Sequence, residues 1–260
     1  MLVPMSAEPA PEGGQSRQIN LQDLVNQFMS GLQRHFDMLA FNLASRERVL
    51  EADYDRISKA VRIMPSARAH RNFEQTQAYA RDVLIRQVVG DAMNLAVTCL
   101  NNCHLFLALA KANRESPGEQ EKIQTKAKES QESFVRASLD QKFDRLEKEY
   151  DIRCDLEDTL TSLGFVAQNF LRHKTKVEAA QTDDSGELVI ELKAVKEDKI
   201  ADPDHPPLQP ELEEVRKVFR EGDTVFFDDR ELQLILVTIA SFAQSLFGSV
   251  ARFARAPADD

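Results

Sequence analysis

The sequence predicts a predominantly all-α protein: a multi-helix bundle with one long helix and a small two-stranded β element near its C-terminal third. Three observations carry that prediction. Glycine (9) and proline (10) are sparse in 260 residues and largely confined to a few places. Long runs are filled with Ala, Leu, Gln, Glu, Arg and Lys, which lose little rotamer freedom in a helix. Apolar residues recur at steps of three and four along most of the chain, and switch to strict alternation around residues 187–193.

Residues 1–18, "MLVPMSAEPAPEGGQSRQ", carry neither a basic n-region nor an apolar h-region and read as a disordered tail. Residues 19–256 read as a single, mainly helical domain. Asn20 is placed to cap a first helix whose stripe runs Leu21, Leu24, Phe28, Leu32, Phe36, Leu39, Leu43. A second helix, from about Glu51, stops before Pro65, which disfavours helical geometry at Met64. A third starts near Phe73 and is apolar almost all round between Ala92 and Ala112, which predicts a central core helix. Asn94, Asn101 and Asn102 interrupt it, against a membrane span.

Pro117 and Gly118 break the chain, and neither residue type recurs between Glu119 and Leu163. Apolar positions there keep the helical period, with slips near residues 137 and 153. One uninterrupted helix of that length would extend roughly 65 Å. Its first third is polar, so the stretch around 119–150 is expected to project from the globule or pair with a neighbour. Gly164 marks a bend, after which the helix continues to about Lys176. Leu188, Ile190 and Leu192 alternate with Glu187, Glu191 and Lys193 as a half-buried strand. "PELEEVRKVFRE" is expected to be a helix begun by Pro210 and ended by Gly222, with "TVFF" (224–227) as the second strand. Asp228 and Glu231 form a capping-box pattern that opens the last helix.

Function classes are narrowed mainly by exclusion. Lys plus Arg number 33 against 43 acids, a net charge of −10, the wrong sign for broad nonspecific nucleic-acid binding. The basic runs Arg62–Arg71 and Arg172–Lys176 read as solvated faces. Phosphate loops, dinucleotide fingerprints, zinc-protease and hydrolase-elbow motifs are all missing. A di-iron bundle needs Glu three residues before a histidine, and His35, His70, His104, His173 and His205 all lack it.

Cys99, Cys103 and His104 in "CLNNCH", with Cys154, offer thiolate and imidazole ligands. The helix that carries them is the most apolar in the chain, so core packing is the expected role, with no metal and no cofactor. Three cysteines, an odd number without framework spacing, suit a reducing compartment and hence the cytoplasm. Residues 232–255 hold an uncharged run, Leu234–Ala243, too short to span a bilayer. That helix reads as core or dimer interface, with contact to an anionic surface through Arg252 and Arg255 as the alternative.

Residues Gln168 to His173, Gln-Asn-Phe-Leu-Arg-His, resemble the Arg-Asn-x-x-x-His motif of the HEPN superfamily. These are all-α domains, many of them metal-independent ribonucleases or parts of nucleotidyltransferase and bacterial defence systems. The resemblance implies Asn169 and His173 as catalytic residues, with His173 moving a proton at the ribose or leaving oxygen. In the family an Arg stabilises the phosphate charge; here Gln168 holds that position and lacks the charge.

The expected function is therefore binding: a helical interaction or scaffold protein, self-associating or meeting a protein partner. Phe134, Leu139, Phe143, Leu146 and Tyr150 are the expected interface contributors. The HEPN-like ribonuclease, or an inactive relative, is the alternative.

Overall fold

The all-round apolar stretch at 92–112 lies within α3 (Phe73–Glu115), a helix of 43 residues that runs about 65 Å through the molecule. The computed structural model describes residues 20–46, 48–60, 72–172, 174–196 and 211–256, and of 58–60 only the backbone. The tail 1–18, the basic segment 62–71 and His173 lie outside the described residues. Asn72 caps α3, its side chain accepting from the Gln75 N–H at 2.9 Å, and Pro117 follows its end. Val89, Ala96, Leu100, Cys103 and Leu107 are wholly buried on α3, so this is the axis of the core.

The other helices assemble on that axis. α1 (Leu21–Arg46) runs antiparallel to α3 and buries Phe28, Leu32 and Leu39. Gly31 lets the two backbones approach, since a Cβ there would meet Leu95 Cδ1 at 3.1 Å. α2 (Glu51–Ala60) follows α1, and after the turn at 116–118 α4 (Gln120–Arg136) folds back along α3. α5 (Leu139–Tyr150) and α6 (Glu157–Leu171) continue the bundle. α7 (Asp229–Arg255) packs on α3, α1 and the sheet, and Asp228 with Glu231 forms its capping box.

The sheet has two antiparallel strands, β1 (Glu187–Val195) and β2 (Leu212–Arg220), in register from Glu187 opposite Arg220 to Val195 opposite Leu212. Leu188, Ile190, Leu192 and Ala194 form its buried face, covered by α6 and α7.

Three expectations are corrected. Residues 119–163 do not form one helix and do not project. Ser138 takes Gln141 N–H and returns a bond through the Gln141 side chain, a capping box that starts a new helix. Asp151, at φ 55, closes that helix in the left-handed region. The two slips of period near 137 and 153 are these two breaks, and the long helix is α3.

Second, residues 212–220 are a strand, not a helix. Leu212, Val215 and Phe219 follow the helical steps of three and four, Val215, Lys217 and Phe219 share one face of a strand, and pairing with β1 decides the outcome. It joins Lys193 to Glu214 at 2.6 Å and Lys196 to Glu211, and it puts Phe219 into the core against Phe227, ring centroids 5.8 Å apart. Third, 224–227 is not the partner strand. Thr224 makes an isolated bridge to Lys176, while Val225 and Phe227 plug into the core.

Candidate functional site

The end of the bundle where α1 hands over to α2 is built around one carboxylate. Asp229, in the first turn of α7, accepts from both guanidinium Nη atoms of Arg46 and pairs with Arg81 at 3.1 Å. The Arg46 guanidinium, with Arg81 behind it, holds the Asp229 carboxyl below the usual carboxylate range although partial burial opposes this. Arg81 also lies over the Phe226 ring, 4.8 Å from its centroid. This node ties the last turn of α1, the third turn of α3 and the start of α7 together.

Outward from the node the surface becomes apolar. Half of the large apolar side chains exposed among the described residues lie on the elements that meet here: Met38 and Phe41 on α1, Leu50 and Ile57 in and before α2, Tyr79 and Val83 on α3. Met38 lies beside Gln87 and Val88 of α3, and α2 returns onto the start of α3 through Tyr54. Its ring meets Phe73 at 5.8 Å, and its hydroxyl stands 3.5 Å from the Thr76 hydroxyl. None of the described side chains of α2 is buried. Leu50, Tyr54 and Ile57 follow one another at steps of four and three, so they form one stripe. Leu50 is 64% exposed and Ile57 57%, which leaves most of that stripe in water.

The residues singled out from sequence lie elsewhere. Phe134, Phe143, Leu146 and Tyr150 are buried among α3, α4, α5 and α7, and Leu139 is half-buried near Gly164 of α6. Phe143 meets Phe242 edge-on at 6.3 Å and Tyr150 meets Phe253 at 5.4 Å. Their apolar surface is used inside the chain itself. Only the period was visible in the sequence, and period says that a face is covered without saying by what.

Asn169 is 2% exposed at the end of α6. Its Nδ2 donates to Gln181 Oε1 at 2.8 Å and to the Lys176 carbonyl at 3.3 Å, and Gln181 Nε2 donates back to Asn169 Oδ1 at 2.8 Å. Both ends of the amide are engaged in closing the passage from α6 to β1. Gln168 beside it is exposed.

Cys99 and Cys103 are buried on α3; the hydrogen bond with Cys99, then burial, push the Cys103 thiol up. Burial pushes Cys154 up to about 12. Among the described residues no group of three His, Cys, Asp or Glu side chains is placed to hold a metal ion. Two helices, α3 and α7, are long and apolar enough to cross a membrane by length and composition, against the expectation of too short a run in α7, because its uncharged stretch extends from Leu232 to Ala251. Leu232, Leu236, Ile239, Phe242 and Leu246 of α7 are buried, so its apolar face is already occupied.

Sequence reasoning missed a buried polar cluster. His104, fully buried on α3, stacks on Phe134 at 3.8 Å and donates from Nδ1 to Gln131 Oε1 at 2.7 Å, while Gln131 Nε2 donates to the Asn101 carbonyl. Lys142 ends against the last carbonyls of α4. A lone histidine in an apolar helix was the only signal in the chain.

Comparison with known proteins adds no relative: no protein-family model matches this chain, and neither a curated protein nor a solved structure matches it.

Proposed function

We propose that this protein is a non-catalytic helical interaction protein that self-associates through the α1–α2–α3 end. One observation carries the reading: α1, α2 and α3 each present large apolar side chains to water at this end, around a helix with no buried described side chain. A second copy suits it. Two α2 stripes packed antiparallel about a two-fold axis bury Leu50 and Ile57 against each other. The acidic first turn of one α2, Glu51 and Asp53, then faces the Arg56 turn of its partner. The same proposal places the protein in the cytoplasm, in keeping with three free cysteines.

The ribonuclease alternative rests on Asn169 and His173. The Asn169 amide, buried and paired with Gln181, does not favour it, and RNA cleavage in EDTA lost on His173→Ala would revive it.

Sedimentation velocity over a wide concentration range tests the proposal. The native chain forms dimers as concentration rises, and the double variant Phe41→Glu/Ile57→Glu stays monomeric with unchanged helicity. A native chain that is monomeric throughout, or a variant that dimerises equally well, rejects this surface.

A further inference from the structure

On the far half of α1, away from the self-association surface, a crevice of about 260 Å³ opens between α1, α3 and the end of α7. Its walls are apolar: Phe28 and Phe247, which meet edge-on at 5.8 Å, with Leu95 opposite Gly31. Its rim is polar, with Arg34 and His35 from α1 and Thr98 from α3. No lining residue is acidic, in a chain whose acids outnumber its bases by 43 to 33. A concave apolar site with a few polar groups at one side is the usual form of a small-molecule site.

The cation at the rim is held in place yet uncommitted. Arg34 Nε donates to the Ser30 carbonyl at 3.1 Å, which anchors the side chain on its own helix. Among the described residues no carboxylate lies within ion-pair distance of its guanidinium, which leaves its two Nη groups for a planar acceptor. His35 stands beside it, its Nδ1 3.9 Å from Asp91 Oδ2. Asp91 is outside the lining and already faces His35.

We infer that this crevice binds a small amphipathic carboxylate, a medium-chain fatty acid or similar compound. The chain lies along Phe28, Leu95 and Phe247, and the head group meets Arg34. The volume limits the ligand to a small one, and the missing cost of an opposing acid lets a bare carboxylate approach. Gly31 is what keeps the wall low, because a Cβ there would press on Leu95.

Octanoate and octanol are the probes, titrated calorimetrically into the full chain near neutral pH and low salt. Octanoate binds about fivefold or more tightly than octanol, the worth of one partly exposed charge pair. Arg34→Glu removes that preference while octanol still binds, and Thr98→Phe, a plug from an exposed rim position, weakens both at least about tenfold. Both positions are exposed, so circular dichroism is expected to show an unchanged fold. Failure of both probes to bind, a preference that survives Arg34→Glu, or binding untouched by Thr98→Phe overturns the inference.

Discussion

A lysine ammonium taken out of water is costly unless its protons find acceptors. Lys142 is 3% exposed, and its Nζ donates to the Phe134 carbonyl, to the Val135 carbonyl at 3.1 Å and to Asn101 Oδ1 at 3.1 Å. It thus satisfies the orphan carbonyls of α4, at the end where the helix dipole favours a cation. Burial, then the Arg145 charge, lowers its pKa. Lys142→Met keeps the stem and deletes the donor, so the Val135 carbonyl and Asn101 Oδ1 lose their partner, while the Phe134 carbonyl keeps the Ala137 N–H. Urea unfolding is expected to show a loss of roughly 1–3 kcal/mol, and a change near zero would show that water replaces the ammonium.

His104, beside it, makes stability depend on pH. Burial lowers its pKa below the ordinary 6.5, the Gln131 bond opposes this, and Arg145 and Lys142 add to the lowering while Glu149 opposes it. The unfolded chain therefore takes up the proton first as pH falls. Stability is full above 6.5 and declines below it, by at most about 1.4 kcal/mol per pH unit, until the folded pKa is reached. Unfolding midpoints between pH 7.5 and 5.5 are expected to fall for the native chain and to change less for His104→Phe (an aromatic that cannot titrate). Equal slopes in the two proteins would assign the effect to other groups.

Among the elements, periodicity conveyed most of the helices and very little of what they pack against. α1, α3 and α7 are legible because their stripes are long, and the capping pairs Asn20, Asp228 and Glu231 mark their starts. The breaks inside 119–163 were present as phase slips, yet neither Gly nor Pro marks them. Ser138 does so with a hydroxyl and Asp151 with a left-handed turn. If that capping box sets the break, Ser138→Ala costs about 1 kcal/mol in thermal or urea unfolding. β2 shows the opposite case. Its residues suit helix or strand locally, and only β1, some twenty residues away, chooses between them. Phe219→Ala should cost about 3 kcal/mol or more, since its ring is 5% exposed against Phe227. Helical content unaffected and stability unchanged would mean that the hairpin is an appendage.

At the scale of the whole molecule, the described helices bury most of their apolar stripes internally, and the stripe of α2 stays in water. The interface residues expected from sequence, Phe134 to Tyr150, fell inside because α4 folds back along α3, a contact that no local pattern announces. The α2 stripe of Leu50, Tyr54 and Ile57 was not read from the sequence, which marked only a helix from about Glu51, and its exposure depends on where α2 returns to α3. That exposed surface is the basis of the proposed self-association. Hydrogen–deuterium exchange of the full chain at low and high protein concentration tests that claim most directly. The account predicts slower exchange at high concentration in residues 49–57 and the C-terminal turns of α1, with α4 unchanged. Exchange in those residues that is independent of concentration, or protection that falls on α4 instead, would contradict it.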